Sequence, residues 1–125
     1  MRDFIFLTRR KLSAQDCFDA LSKEINYVKI NGENGIWIDA KMKSYMEFSD
    51  ETIDDFIFES EEDKEEIIKK IPIENPSIIN FATHRSVDLK RVIKALMQIC
   101  PELYIWDDWN FIASAQEYLD TEFDF

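Results

Sequence analysis

Residues 86–101, SVDLKRVIKALMQICP, carry the most regular pattern in the chain and decide its fold class. We expect Ser86 to cap a helix here and Asp88 to lie in the first turn, where the helix dipole favours negative charge. Pro101 ends the helix because proline has no backbone N–H to donate. The apolar side chains fall at helical spacing at Leu89, Val92, Ile93, Leu96, Met97 and Cys100. This stripe predicts a helix with one buried face.

Short apolar runs on both sides of this helix predict strands. Residues 77–82 precede it and residues 103–106 follow it, and similar runs occupy residues 4–7 and 45–48. Aromatic and β-branched side chains are frequent in these runs, as is typical of strands. The mixture of strands and helices predicts an α+β fold. We expect a single domain over residues 1–125, with a mixed or antiparallel sheet and helices packed on it.

Three further helices are predicted from their N-terminal serines. Ser13 precedes a helix whose face is apolar, Ser60 precedes a helix over residues 61–70, and Ser114 precedes one that ends near Leu119. The apolar face of the first of these helices is formed by Ala14, Cys17, Phe18, Leu21 and Ile25. This face is expected to pack on the sheet.

A hairpin is predicted between residues 27–30 and residues 36–39. The connecting segment contains Gly32 and Gly35, the two glycines of the chain. Both are expected to adopt positive φ, which glycine does at no steric cost. The hairpin adds two strands to the predicted sheet.

Length and composition indicate one small globular domain. With 125 residues and a hydrophobic content of 46%, the chain has enough apolar surface to fold. We expect a cytoplasmic protein without membrane contact, because the start has no signal-peptide pattern and no stretch approaches roughly 20 apolar residues. Cys17 and Cys100 fit that compartment as buried, inert thiols. A reactive thiol is the alternative, and it would need a positive neighbourhood that the acids beside Cys17 do not provide.

The negative charge is concentrated in residues 47–66. This segment holds eleven acids against one base, Lys64, and carries a net charge of −10, whereas the whole chain carries −11. A local field of this kind attracts a cationic partner and raises the association rate by about 10- to 1000-fold. The alternative interpretation is a solvated, partly mobile loop and helix, since most charge runs have that role.

Aromatic side chains accompany the acids in two places. Phe56 and Phe58 are bracketed by acids, and they are either core anchors or the central contacts of an interface. Residues 106–109, Trp-Asp-Asp-Trp, form a second aromatic and acidic patch at a predicted turn that ends at Asn110. The tail, residues 122–125, either frays or extends this second patch.

The chain offers little for catalysis or metal binding. His84, the only histidine, follows a predicted strand, and the spacing supplies neither an orienting carboxylate nor a nucleophile. Asp107, Asp108 and Asn110 carry oxygen ligands, but the EF-hand spacing is missing and a solvated turn is the simpler interpretation. Direct binding to nucleic acid is disfavoured because a face of this charge repels phosphates. An acidic surface can instead occupy the cationic groove of a protein that binds nucleic acid.

The last third of the chain also resembles a known family. Residues 81–91 (FATHRSVDLKR), 103–110 (LYIWDDWN) and 114–119 (SAQEYL) resemble small cytoplasmic immunity proteins of bacterial polymorphic toxin systems, particularly those of contact-dependent growth inhibition. The resemblance implies an acidic single domain that binds and blocks a cognate toxin, often a nuclease, in the producing cell. It brings no functional residues that can be transferred, so the expected interface depends on charge and aromatic residues.

The sequence therefore predicts a non-catalytic immunity protein that covers the basic substrate groove of a nuclease toxin with an acidic surface. No cofactor and no metal are expected. The predicted partner-binding residues are Asp50, Glu51, Asp54, Asp55, Phe56, Phe58, Glu59, Glu61, Glu62, Asp63, Trp106, Asp107, Asp108 and Trp109. An acidic adaptor for another basic protein is the alternative, and a small hydrolase that uses His84 is a less favoured one.

Overall fold

The computed structural model describes residues 1–39, 41, 43–109 and 111–125, and these form seven strands and four α-helices. The strands are β1 (Arg2–Thr8), β2 (Val28–Asn31), β3 (Gly35–Ile38), β4 (Ser44–Thr52), β5 (Ser77–Thr83), β6 (Tyr104–Trp106) and β7 (Ile112–Ser114). The helices are α1 (Ala14–Glu24), α2 (Glu61–Lys69), α3 (Ser86–Met97) and α4 (Ala115–Asp120), and a short 3-10 helix spans Ile53–Asp55. No helix in these ranges combines the length and the apolar character needed to cross a bilayer.

The seven described strands belong to one antiparallel sheet in the order β2-β3-β4-β5-β1-β6-β7. β1 and β5 pair along their whole length, from Arg2 opposite Thr83 to Thr8 opposite Ser77. The predicted α+β class, with helices packed on a sheet, is confirmed.

Three helices cover one face of the sheet, which we call the helical face. Phe4 and Phe6 of β1 and Phe81 of β5 point to this face and lie in one core with Leu21 of α1 and Tyr118 of α4. The rings of Phe6 and Phe81 are 5.6 Å apart. α3 contributes its predicted stripe to the same core through Leu89, Val92, Ile93, Leu96 and the adjacent Cys100. Burial of this stripe explains why the segment 86–101 has the strongest helical pattern in the sequence.

The opposite face, which we call the α2 face, has a smaller core. Side chains alternate along β1, so Ile5 and Leu7 point to this face while their neighbours point to the helices. They pack with residues of α2, of its flanking segments and of two other strands, namely Ile53, Ile67, Ile71, Ile73, Ile78 and Trp106. Toward β3 and β4 this face carries the half-exposed rings of Trp37 and Tyr45, whose centroids are 4.5 Å apart. The two faces therefore differ in how completely helices cover them.

Three of the four predicted N-caps are confirmed. The hydroxyl oxygens of Ser13, Ser60 and Ser114 each accept the backbone N–H three residues further on, at 3.0, 3.1 and 3.2 Å. The fourth prediction is wrong by one residue, because Arg85 is the N-cap of α3 and Ser86 is its first helical residue. Arg85 has extended backbone angles, and its N–H donates to the hydroxyl of Thr83 at 3.0 Å.

The hairpin of β2 and β3 is confirmed, but only one of its glycines has the predicted role. Gly32 has a φ of +68°, as the turn requires. Gly35 does not have positive φ, so the expectation for it is wrong. It pairs with Glu47 across the sheet, and a side chain there would overlap the hydroxyl of Tyr45. Gly35 is thus needed for the close approach of an aromatic ring.

Two features at the end of the chain differ from expectation. β7 was not predicted, and it pairs with β6 to form the last strand of the sheet. The tail neither frays nor extends the patch at residues 106–109. Phe125 stacks on Phe4 at 6.0 Å, Phe123 stacks on Tyr118 at 5.6 Å, and the guanidinium of Arg2 lies 4.7 Å from the Phe125 ring centroid. These contacts place the tail on the helical face.

The cysteines are buried in the core of the helical face, as predicted. Burial raises the pKa of Cys17 to about 12, and the neighbouring carboxylate of Asp16 adds to the shift. Burial also raises the pKa of Cys100. Neither thiol is therefore activated for nucleophilic chemistry at neutral pH.

One carboxylate is buried beneath the helices. Asp88 of α3 is 2% exposed, and Arg85 donates two hydrogen bonds to it, at 2.9 and 3.1 Å. The hydroxyl of Ser44 donates to the same carboxylate at 2.8 Å and lies 2.7 Å from the hydroxyl of Thr83. The charge is thus paired and fully hydrogen-bonded, as a buried carboxylate needs to be. This network joins the start of β4 to the first turn of α3.

Candidate partner-binding groove

A groove of about 620 Å³ lies on the α2 face, between α2 and the turn that joins β6 to β7. Three separate parts of the chain line it: residues 56–59 after the 3-10 helix, one side of α2 with Lys70, and residues of the β6–β7 turn. The acidic segment and the Trp-Asp-Asp-Trp patch, which the sequence presents as two candidates, therefore meet at one surface. We call it the aromatic groove.

The floor of the aromatic groove is a cluster of three aromatic rings. Phe56 and Phe58 have ring centroids 5.0 Å apart. Both contact Trp106, Phe56 edge-on at 5.2 Å and Phe58 in a stacked arrangement at 5.9 Å. Since Trp106 lies on β6 and points to the α2 face, it fixes the position of the two phenylalanines. Ile57, between them, points outward and is 91% exposed.

One wall of the aromatic groove is a single side of α2. Asp63, Glu66, Ile67 and Lys70 line it, and their spacing of three, four and seven residues places them on one side of a helix. Ile67 is buried against the sheet and anchors the helix, while the acids at the same side remain exposed. The orientation of Ile67 into the core therefore determines which acids face the groove.

The other wall is the β6–β7 turn. Asp107 holds it, because its Oδ1 accepts the backbone N–H groups of Trp109 at 2.9 Å and Phe111 at 3.1 Å. Asp108 adopts a positive φ of 62° at the corner. The indole N–H of Trp106 donates to the carbonyl of Trp109 at 3.3 Å. These contacts present the side chain of Trp109 to solvent, where it is 80% exposed.

The groove carries uncompensated negative charge. Four acids line it, Glu59, Asp63, Glu66 and Asp108, against the single base Lys70, for a net charge of −3. Within the part of the chain that the structure describes, none of these five residues takes part in an ion pair. The pKa of Asp108 is raised by partial burial and by the negative charges of Asp3 and Asp107. The groove is therefore electrostatically suited to a cation.

The predicted partner-binding residues divide into two groups. The aromatic groove brings together Phe56, Phe58, Glu59, Asp63, Trp106, Asp108 and Trp109. The others lie outside its lining: Asp50, Glu51, Asp54, Asp55, Glu61, Glu62 and Asp107.

Several of the acids outside the groove have local structural roles. Asp50 forms an ion pair with Lys11. Asp55 accepts the N–H of Thr52 at 2.9 Å and so caps the 3-10 helix. Glu61 and Glu62 lie in the first turn of α2, where the helix dipole favours them. The acidic segment is thus not one uniform surface.

The structure also changes the interpretation of the two tryptophans. Both flank the double aspartate in sequence. Trp106 is 4% exposed and forms part of the groove floor, whereas the ring of Trp109 is accessible to solvent. Four residues that line the groove were not predicted: Ile57, Glu66, Ile67 and Lys70. The α2 spacing could have identified Glu66 and Lys70, since Asp63 was already a candidate. No sequence signal indicated that Ile57 would be exposed between two packed rings.

The sequence also offered weaker candidates for catalysis and for metal binding. His84 is exposed in the connection between β5 and α3. Among the described residues, no group of three or more histidine, cysteine or acidic side chains is arranged to hold a metal ion. The carboxylate of Asp107 is occupied by backbone N–H groups, and Asn110 lies outside the described residues.

No protein family model, no curated protein and no solved structure gives a significant match to this chain.

Proposed function

We propose that this chain is a non-catalytic immunity protein that binds and neutralises a cognate basic toxin domain of the nuclease class. The observation that carries the proposal is the aromatic groove, where the two aromatic and acidic patches of the sequence form one surface. The resemblance of the last third of the chain to immunity proteins supplies the identity of the partner. The interaction is between proteins, with no cofactor and no direct contact with nucleic acid.

The exposed apolar side chains supply the affinity in this proposal. Ile57 and Trp109 are the most exposed large hydrophobic residues among those described, at 91% and 80%, and both line the groove. Large exposed apolar side chains that lie together are typical of interaction sites. Aromatic residues, tryptophan above all, are also the commonest hot spots of protein interfaces. Burial of these two side chains by a partner would contribute more to binding than the surrounding charges.

The acids supply steering and discrimination. Glu59, Asp63 and Glu66 of the acidic segment line the groove together with Asp108, and all four are exposed. A nuclease binds phosphates with clustered lysine and arginine side chains, so its substrate groove has the opposite charge. Carboxylates at the rim of the interface accelerate encounter with such a surface and disfavour neutral or acidic proteins.

The proposal is tested by measuring the association rate with the proposed cognate toxin domain, sought among the products of neighbouring genes, at low and at high ionic strength. Reversal of Glu59, Asp63 and Glu66 to lysine is expected to slow association at low salt by at least about tenfold. The matched control reverses Glu51, Glu61 and Glu62, which changes the net charge equally outside the groove. The two reversals are compared at physiological salt, where exposed charges are screened beyond about 8 Å, and we expect the control to have less than about a third of the effect of the groove reversal.

Two outcomes would contradict the proposal. Equal effects of both triple reversals would mean that the partner does not use the groove. Failure of this chain to reduce the nuclease activity of the toxin domain, despite binding, would favour an adaptor role over inhibition. A hydrolase that uses His84 would be indicated only if His84→Ala abolished an activity of the folded protein.

A further inference from the structure

The aromatic groove combines two features that few ligand groups satisfy together. Its floor and edges are aromatic or aliphatic, while its rim carries Glu59, Asp63, Glu66 and Asp108. A purely apolar side chain would fit the floor, but it would exclude water from the carboxylates without replacing their hydrogen bonds. A small hydrated cation would satisfy the carboxylates but gain nothing from the aromatic rings. The occupant must therefore have both a flat or apolar body and a positive charge.

We propose that the aromatic groove receives an arginine side chain of the protein partner, with its guanidinium stacked on Trp109 and hydrogen-bonded to the carboxylates of the rim. This inference rests on the proposed function, because it names the anchoring group of that partner. The guanidinium group is planar, weakly hydrated and permanently charged, and it stacks on aromatic faces while donating to carboxylates.

The positions of the lining residues support this assignment. Trp109 offers an accessible indole on one wall, and Asp63 and Glu66 face it from α2. A guanidinium between these walls can donate two parallel hydrogen bonds to a carboxylate, which a lysine ammonium cannot do. Ile57 and the half-exposed Phe58 provide an apolar surface for the methylene groups of the arginine side chain.

The electrostatic environment of Asp108 is consistent with this occupant. Its pKa is raised by partial burial and by Asp3 and Asp107, so the side chain lies in a region of excess negative charge. A bound guanidinium would lower that pKa, and binding would release protons at a pH near it. Affinity for arginine is therefore expected to increase as the pH rises through the pKa of Asp108.

The experiment uses the full chain and observes the indole N–H signals of its tryptophans by NMR. N-acetyl-arginine amide is titrated as the probe, and N-acetyl-citrulline amide, which has nearly the same shape without the charge, is the matched control. We expect arginine to shift the signals of Trp109 and Trp106 at millimolar concentrations. Trp37 lies elsewhere on the sheet and serves as an internal control. N-acetyl-lysine amide is expected to bind at least about threefold more weakly than arginine.

Variants test which residues bind the probe. Trp109→Ala, and separately Asp63→Asn with Glu66→Gln, are each expected to weaken arginine binding by at least about fivefold. The control variant Glu61→Gln with Glu62→Gln is expected to leave it unchanged. The inference is overturned if citrulline shifts the same signals, if lysine binds as tightly as arginine, or if Trp37 responds equally.

The results separate this inference from the proposed function. If the groove reversals slow association with the toxin domain but arginine causes no shift, the partner uses the groove and the arginine anchor is wrong. If arginine binds at Trp109 but no basic toxin domain is inhibited, the anchor is correct and the proposed function fails.

Discussion

The two faces of the sheet distribute their charged and apolar groups in opposite ways. On the helical face, three helices bury a continuous core, and the buried acid Asp88 is held by the guanidinium of Arg85 and the hydroxyl of Ser44. On the α2 face, one helix and a short aromatic segment cover a smaller core. The acids beside the groove have no ion-pair partner among the described residues. The first face therefore accounts for most of the stability, and the second is available for binding.

The difference between the two faces begins with the alternation of side chains along β1. Phe4 and Phe6 support the helical face, while Ile5 and Leu7 support the α2 face from the same strand. The α2 face is thus supported from below by an interior strand of the sheet, which pairs with β5 on one side and β6 on the other. A groove built on such a support is preorganised, which lowers the entropic cost of binding.

The largest expected effect is a difference in unfolding free energy between two Phe→Ala substitutions, one on each face. Phe81→Ala removes a fully buried ring from the helical face and is expected to lower the free energy of unfolding by about 3–5 kcal/mol. Phe58→Ala removes a half-exposed ring from the groove and is expected to cost about 1 kcal/mol. Denaturant unfolding followed by circular dichroism measures both. Equal losses would contradict the assignment of most stability to the helical face.

A smaller loss of stability is expected when the buried acid, Asp88, is replaced. Asp88→Ala leaves the hydroxyl of Ser44 without its acceptor and the guanidinium of Arg85 with the ion pair to Asp39 alone, at a cost of about 1–3 kcal/mol in unfolding free energy. Glu62→Ala, in the first turn of α2, is the matched acid on the other face and is expected to change stability by less than about 0.5 kcal/mol. If both variants unfold at the same denaturant concentration, the network around Asp88 has no structural importance.

Asp108→Asn is expected to stabilise the protein slightly, in a way that depends on pH. The folded protein raises the pKa of Asp108 above its unfolded value, so the charged form is disfavoured by folding. The penalty is present above the folded pKa and disappears as the pH falls below about 3.9. Removing the charge should therefore add at most about 0.5 kcal/mol at neutral pH, because solvent screens this exposed group, and add nothing at low pH.

The positive φ of Asp108 does not complicate that measurement, since asparagine tolerates the same backbone conformation. Glu51→Gln serves as the control, because it removes one charge outside the groove. Thermal unfolding of both variants at several pH values gives the comparison. A destabilised Asp108→Asn variant at neutral pH would show that this carboxylate has a favourable partner in the folded protein.

The smallest effect on stability is expected at the most exposed residues. Ile57→Ser and Trp109→Ala should each change the unfolding free energy by less than about 0.5 kcal/mol, since both side chains are largely in solvent. The same substitutions should weaken binding of the proposed partner by about 2 kcal/mol or more. Calorimetric titration of the folded variants measures this difference. A variant that unfolds more easily yet binds normally would assign its side chain to the core.

Local patterns in the sequence predicted most of the elements. Ser13, Ser60 and Ser114 are followed by helices because capping depends on only a few neighbouring residues. β7 carried no comparable signal, because its three residues include only one strand-favouring side chain, Ile112, and end at the serine that caps α4, whereas β6 contains two aromatic residues and an isoleucine. The role of Gly35 could not be predicted either, because it depends on Tyr45 of the next strand.

The groove itself depends on strand order, which the sequence does not reveal. β6 pairs with β1, and Trp106 therefore meets Phe56 and Phe58 although some 50 residues separate them in the chain. The sequence also does not reveal which side chains will be exposed to solvent. Trp106 and Trp109 both neighbour the double aspartate, and the direction of β6 and of the turn after it places the first inside and the second outside.

The burial of both native thiols has a practical consequence for following the interaction. Cys17 and Cys100 are enclosed by the helices, and Cys17 stays protonated at neutral pH. A maleimide dye should therefore leave the unaltered protein unlabelled. A single cysteine introduced at Ile57 could then receive a fluorophore selectively, without replacement of either native residue, and report directly on events at the groove.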